Sequence, residues 1–249
     1  MTTFSDVLGD RLRHHPEQPL VTYYDLATGE RTELSVTTYA NWVAKTAGLL
    51  ADQLDIERGG VVVVDLPTHW LGAVVLGAVW QVGAQVRWPD APREARPEVT
   101  PPDLVVCGPE GLAGWADAST PVLASALLPM AARFADPPPP GVVDLGVEVW
   151  AQPDAFVAFD PAAGEDVAVE GVSHDELWSR AAAGTLLEEG GRLVTEANPA
   201  SRHGLPCLTQ PLSRGGSLVL VTRADPKRFD ATYAAERGTA RFPGHPARS

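Results

Sequence analysis

Lysine is almost missing from this 249-residue chain: of 19 basic residues only Lys45 and Lys227 are lysines, and the rest are arginines. Any site that needs a lysine is confined to those two positions. Net positive charge is missing too. With a formal charge of -13 and an isoelectric point near 4.8, no summed positive field exists to attract a nucleic-acid backbone or an anionic bilayer. Cysteine is limited to Cys107 and Cys207, each inside an apolar run. They read as buried thiols in a reducing compartment, and their spacing alone leaves a disulfide open. The most apolar stretch, "LGAVVLGAVW" at 71–80, falls short of the roughly 20 residues that cross a bilayer. The start "MTTFSDVLGDRLRHHPEQ" lacks the basic-then-apolar order of a signal peptide. A soluble, cytoplasmic protein is expected, without membrane insertion and without nucleic acid as a partner. G-x-S-x-G is absent as well, which removes a serine nucleophile elbow, and neither cysteine has a neighbouring base to depress its pKa.

What is present is ordinary for a globular domain: 45% apolar and 20% charged residues, with 23 prolines and 23 glycines marking loops. Phe4, Val7, Leu8 and Leu12 share one helical face. "PLVTYYDLATGERTEL" gives two β-rich runs around Ala27-Thr28-Gly29, a hairpin. Thr37 or Thr38 caps an expected helix through about Leu54. "GGVVVVDLP" is a strand covered on both faces, followed by a helix from about His69 to Val82 and the strand "AQVRW". That strand, helix, strand order is a parallel crossover unit and predicts a layered α/β fold with mostly parallel sheets and helices on both faces. "DLVVCG" and "TPVLAS" are further strand candidates. "ADPPPPGVV" at 135–143 is an extended connector, so residues 1–249 read as one domain in which lobes 1–134 and 144–249 are allowed. The stretch 156–174, "FVAFDPAAGEDVAVEGVSH", reads as a strand, a small-residue loop, a second strand and a helix start, with Ser173 and Glu176 spaced as a capping box. "GLPCLTQPLSRGG" and "GSLVLVT" look like a Pro-broken helix and a strand. Asp225-Pro226 opens a helix to about Arg237, and "TARF" makes a last strand.

Residues 34–90 resemble the amino-terminal part of the adenylate-forming (acyl-CoA synthetase or AMP-binding) superfamily. Leu66-Pro67, Gly83-Ala84 and Pro89 sit where that pattern puts them. Residues 155–178 align with the family's phosphate loop, Thr-Ser-Gly-Thr-Thr-Gly-x-Pro-Lys-Gly, and 208–242 resemble the segment that follows it. The resemblance covers most of the chain as an order of elements and is nearest the short, uncharacterised AMP-binding-like proteins of actinobacteria. It implies a fold like the first half of the large domain of those enzymes, and an ATP or AMP site at the loop. The loop departs from the family where the chemistry matters. Aligned on Ser173-His174, the family's Thr/Ser/Gly positions fall on Asp160, Pro161 and Ala162, its second glycine on Glu165 and its lysine on Ala168. A phosphate cradle needs exposed N–H groups, hydroxyls and a cation. Here Pro161 has no N–H, and Asp160, Glu165 and Asp166 would face a polyanion with nothing positive expected nearby. The chain also stops after "TARFPGHP", before the family's remaining nucleotide segments and its carboxy-terminal lobe.

The loop positions Asp160, Gly164, Glu165, Asp166, Ala168, Ser173 and His174 are therefore expected to be vestigial, with no catalytic residue, no metal and no cofactor, ATP or AMP being the ligand left to test. His174, Asp175, Glu176 and His203 could be drawn as a metal or acid-base cluster. They lack H-x-x-x-H or C-x-x-C spacing, and a solvated helix start is the plainer expectation. "RHGL" at 202–205 and the glycine pairs 59–60 and 215–216 read as turns. Trp70, Trp80 and Trp88 read as core. The expected function is a non-catalytic binding or interaction module, against one half of a split adenylating or acyl-transfer enzyme or a nucleotide or acyl-ligand sensor. A homodimer or a protein partner would cover a face left by the family's other half.

Overall fold

Thr3 starts helix α1 (Phe4–His14) because its side chain accepts the Asp6 N–H while the Asp6 carboxylate takes the Thr3 N–H, a reciprocal cap. In this computed structural model residues 2–89, 101–116 and 119–243 are described. Asp90, the last residue of the 34–90 resemblance, and Gly244, His245 and Pro246 of "TARFPGHP" lie outside them.

The hairpin is β1 (Pro19–Asp25) paired antiparallel with β2 (Glu30–Ser35). Helix α2 (Val36–Gly48) is capped by Ser35, whose Oγ accepts the Thr38 N–H at 3.1 Å. The expected caps, Thr37 and Thr38, stand instead inside the first turn, because Val36 is already helical. The α-helix stops at Gly48, and the predicted continuation to Leu54 is a π-helical turn at Leu49–Gln53. Then come β3 (Val61–Asp65), α3 (Trp70–Val82), β4 (Gln85–Arg87), β5 (Leu104–Cys107), α4 (Pro109–Trp115), β6 (Val122–Ala124) and β7 (Val142–Asp144). After these come α5 (Leu145–Glu148), β8 (Val167–Val169), β9 (Val172–Ser173), α6 (His174–Ala182), β10 (Arg192–Thr195), α7 (Pro206–Ser213), β11 (Ser217–Thr222), α8 (Pro226–Ala235) and β12 (Ala240–Phe242).

The strands form two sheets, one in the order β12-β10-β11-β1-β2 and one in the order β7-β6-β5-β3-β4-β8-β9. All pairs are parallel except β1/β2 and β8/β9. Both sheets draw strands from either side of the 135–143 connector. Helix α3 touches β1 of the first sheet and β3 and β4 of the second, and every residue from Trp70 to Trp80 is buried. A helix apolar all round belongs between two layers. Its approach to α2 is set by Gly77, where a Cβ would stand 2.6 Å from the Tyr39 Oη and 2.8 Å from Val43. Around α3 the core gathers Phe4, Trp80 and Trp178, with Phe4 and Trp80 ring centroids 5.6 Å apart. No helix of the described residues is long and apolar enough to cross a membrane.

Candidate functional site

The loop before β8 differs from its expected form at both ends. Residues 155–158 are irregular and the two that follow form a bend, so the first predicted strand is not made. No neighbouring strand edge receives it, and Val157 and Phe159 are left fully in solvent at 90% and 105% exposure. At the other end Ala168 lies inside β8, 0% exposed, its carbonyl accepting the Trp80 Nε1–H at 3.0 Å. The position aligned with the family's lysine is thus a core position of a strand.

The expectation of nothing positive near the acidic loop is overturned by Arg58. This residue lies in the turn before β3. Its Nε and one terminal nitrogen donate to the two oxygens of Asp166 at 2.7 and 3.0 Å, and the other terminal nitrogen donates to Asp160 at 3.0 Å. Asp166 Oδ2 also accepts the Ala163 N–H at 2.7 Å. The Arg58 fork holds the Asp166 carboxyl below the usual carboxylate range, and the two carboxylates hold the Arg58 guanidinium more firmly protonated than usual. Glu165 is exposed. Gly164 is buried, with its carbonyl accepting the Asp175 N–H at 2.9 Å; a Cβ there would stand 2.5 Å from the Asp175 carboxylate.

Ser173 caps α6, accepting the Glu176 N–H at 3.3 Å, but the Glu176 carboxylate pairs with Arg180 rather than returning to the Ser173 N–H, so only half of the expected box is made. His174 is not the solvated helix-start residue expected. It is 0% exposed, neither ring nitrogen has a hydrogen-bond partner, and burial lowers its pKa against the opposing pull of Asp166 and Asp175. His203 is exposed and stacks on Phe242 at 5.0 Å between ring centroids. Among the described residues no group of three or more His, Cys, Asp or Glu side chains is arranged to hold a metal ion. Cys107 and Cys207 are buried free thiols, and burial pushes them up to about 11 and about 12. Trp70, Trp80 and Trp88 are core, as expected.

Sequence reasoning named Leu66, Pro67 and His69 only as strand-end and helix-start positions, and did not bring them together around an opening among the described residues. A cavity of about 660 Å³ lies at the carboxyl ends of β1, β3, β5 and β11. Asp25, Asp65, His69, Glu110, Tyr23 and Arg223 contribute to its wall. Each follows from strand direction: Asp25 and Asp65 end β1 and β3, Glu110 opens the helix after β5, and Arg223 follows β11. Parallel sheets present ligand crevices at such ends, and the runs "YYDLATG", "VVDLPTHW", "VVCGPEG" and "VTRA" were the signal. Arg223 Nε donates to Asp25 Oδ1 at 2.8 Å, and a terminal nitrogen pairs with Asp25 Oδ2. His69 caps α3 and lies against Tyr23, ring centroids 4.7 Å apart. A smaller cavity of about 270 Å³ between α6 and α7 includes Trp88, Glu170, Arg180 and Arg202, with Arg202 donating to Glu170 at 2.6 Å.

Solved structures share this fold. An acyl-CoA synthetase of Brucella canis superposes with a TM-score of 0.80 at 19% identity, covering 96% of this chain and 47% of that one. A fatty acyl CoA synthetase of Mycobacterium tuberculosis gives 0.72 at 15% identity, covering 95% and 48%, and the N-terminal domain of FACL13 from the same species gives 0.70 at 18%, covering 96% and 62%. The chain spans about half the length of the full enzymes it matches. At these identities the likeness establishes the fold, which is that of the first half of adenylate-forming enzymes. No protein-family model matches the chain. A protein of Mycobacterium tuberculosis (strain ATCC 25618 / H37Rv), described as a TIGR03089 family protein, is 36% identical over 250 residues, covering 96% of this chain and 97% of its own length. On that near full-length identity, and with the adenylate-forming fold beneath it, the chain belongs to the TIGR03089 family.

Proposed function

We propose that this chain is a binding or interaction module of the adenylate-forming fold that does not itself form adenylates. The observation that carries the reading is the Arg58 fork. A phosphate group would need the loop's cation and N–H groups, and here Arg58 and the Ala163 N–H are already engaged by the Asp160 and Asp166 carboxylates. ATP would have to displace two anions from the one arginine they share, with Glu165 beside them and no lysine in the loop. The test is ATP-pyrophosphate exchange across a panel of carboxylic acids, alongside calorimetric titration with ATP and AMP, with and without magnesium. No exchange and no heat at high micromolar nucleotide are expected, and exchange with any acid sinks the proposal.

Two observations give the module something to bind. The crevice at the strand ends supports a ligand-sensing role. Exposed Val157 and Phe159 support a protein partner or a second copy of this chain, since apolar side chains in solvent gain by being covered. Sedimentation at micromolar concentration reads the second copy directly. The half-length match to the solved enzymes supports the split-enzyme alternative, which requires a stable partner carrying the remaining lobe to co-purify. Because both sheets take strands from both sides of the connector, we treat 1–249 as one domain rather than two lobes.

A further inference from the structure

The wall of the crevice at the strand ends holds a buried donor with nothing to receive its proton. His69 is 2% exposed and forms part of the crevice wall. Its Nδ1 accepts the Leu71 N–H at 3.2 Å, the cap of α3. A neutral imidazole that accepts at Nδ1 carries its proton at Nε2, and His69 Nε2 has no hydrogen-bond partner among the described residues. Burial lowers its pKa to about 4, so the ring is neutral at physiological pH and offers one N–H. Such a group is costly to leave unmatched, and a bound molecule supplying an acceptor removes the cost.

The charges around the same space are unbalanced. Arg223 is spent on Asp25, which also accepts the Ala27 N–H at 2.9 Å. Asp65 and Glu110 are left in excess of that ion pair. Asp65 Oδ2 takes a hydrogen bond from the neutral Trp115 indole at 2.7 Å, and Glu110 is exposed at the start of α4. The hydroxyls of Thr68 and Thr222 donate to the Glu196 and Tyr24 carbonyls at 3.3 and 3.2 Å. Tyr23, Leu66 and Leu127 supply apolar wall.

We propose that this crevice binds a small organic cation: a protonated amine held by Asp65 and Glu110, bearing a carbonyl or hydroxyl oxygen that accepts from His69 Nε2. Its apolar body lies against Tyr23, Leu66 and Leu127. A carboxylate or phosphate ligand of the same size is repelled by the two surplus carboxylates. The site stands apart from the 158–166 loop, so finding nucleotide exchange at the loop would leave it in place.

The Trp115 indole, bonded to Asp65, is a built-in reporter. The full chain is titrated with L-phenylalaninamide, which carries an ammonium, a carbonyl oxygen and an apolar body, and separately with 3-phenylpropanoate, alike in size and opposite in charge. Two-dimensional NMR follows the indole N–H resonances. The expected result is a saturable shift of the Trp115 signal with the amide and none with the carboxylate. Affinity for the amide should fall about tenfold in Glu110→Gln, the size of effect a charge-assisted contact carries, and should weaken with added salt. Asp65→Asn gives a second reading, while Glu110→Gln, at an exposed position, guards against a variant that fails to fold. No saturable shift at millimolar amide overturns the proposal. So does an equal response to 3-phenylpropanoate, or an affinity unchanged by Glu110→Gln.

Discussion

The 158–166 loop and the crevice at the strand ends have opposite polar economies. In the loop the arginine and the two aspartates answer one another, and Asp166 takes a backbone N–H besides. In the crevice a buried imidazole donor has no acceptor, and two carboxylates exceed the available cation. The loop, which aligns with a phosphate motif, has its arginine and aspartates paired; the crevice has no motif and leaves groups unanswered. The proposals for the two regions rest on which polar groups are matched and not on where a motif lies in the alignment.

The comparison can be broken most heavily at the wall the loop leans on. Trp80→Ala removes a 1% exposed side chain and the bond that holds the Ala168 carbonyl of β8, and should cost about 3–5 kcal/mol in denaturant unfolding. A loss below about 1 kcal/mol would mean that the loop's seat is not tied to the core. Acid comes next. His69 falls from 6.5 to about 4 on folding and His174 is lowered in the same direction, both through burial. Between those values the unfolded chain binds protons that the folded chain refuses. Stability is therefore full above about pH 6.5 and declines as pH drops toward 4, by roughly 3 kcal/mol for His69 at most. Unfolding midpoints across that window check it, and a flat profile would show that the two rings are not buried.

Finer changes separate the regions. His69→Asn keeps a cap acceptor for the Leu71 N–H and should remove the His69 part of the acid slope. His69→Ala loses the cap as well and should be about 1 kcal/mol less stable than His69→Asn. The smallest effect belongs to Asp160→Asn: its carboxylate is 65% exposed, and exposed pairs contribute little. Its unfolding midpoint should match that of the parent, whereas Asp166→Asn, which loses the fork and the Ala163 contact, should unfold earlier. An equal drop in both variants would show the Arg58 pairs to be one unit rather than a strong pair and a weak one.

Much of the fold was legible because its signals are local. The run "VVVVD" could only be a covered strand, and Gly29 marked the β1–β2 turn, where φ is 82°. The cap at Ser173 was legible from Glu176 three residues on. The failures were tertiary. Phe156 to Phe159 read as a short apolar strand, yet a strand needs an edge to pair with, and none is supplied among the described residues. Arg58 is separated from Asp166 by 108 residues, so no window of sequence brings the pair together. His174 looked like a helix-start residue in water until α6 turned it into the core. His69 looked like a helix boundary and nothing else.

The order β10-β11-β1-β2 carries a consequence for how the protein is made. Val21 of β1 pairs with Leu218 of β11, so a hairpin translated almost at the outset has no parallel neighbour until nearly two hundred residues later. Loop closure over that span is slow. A ribosome-bound chain halted before Ser217 leaves the backbone N–H and C=O groups along one edge of β1 without their β11 partners, a surface for chaperones or for aggregation. Synthesis rate, and not only sequence, decides how long that edge stays open.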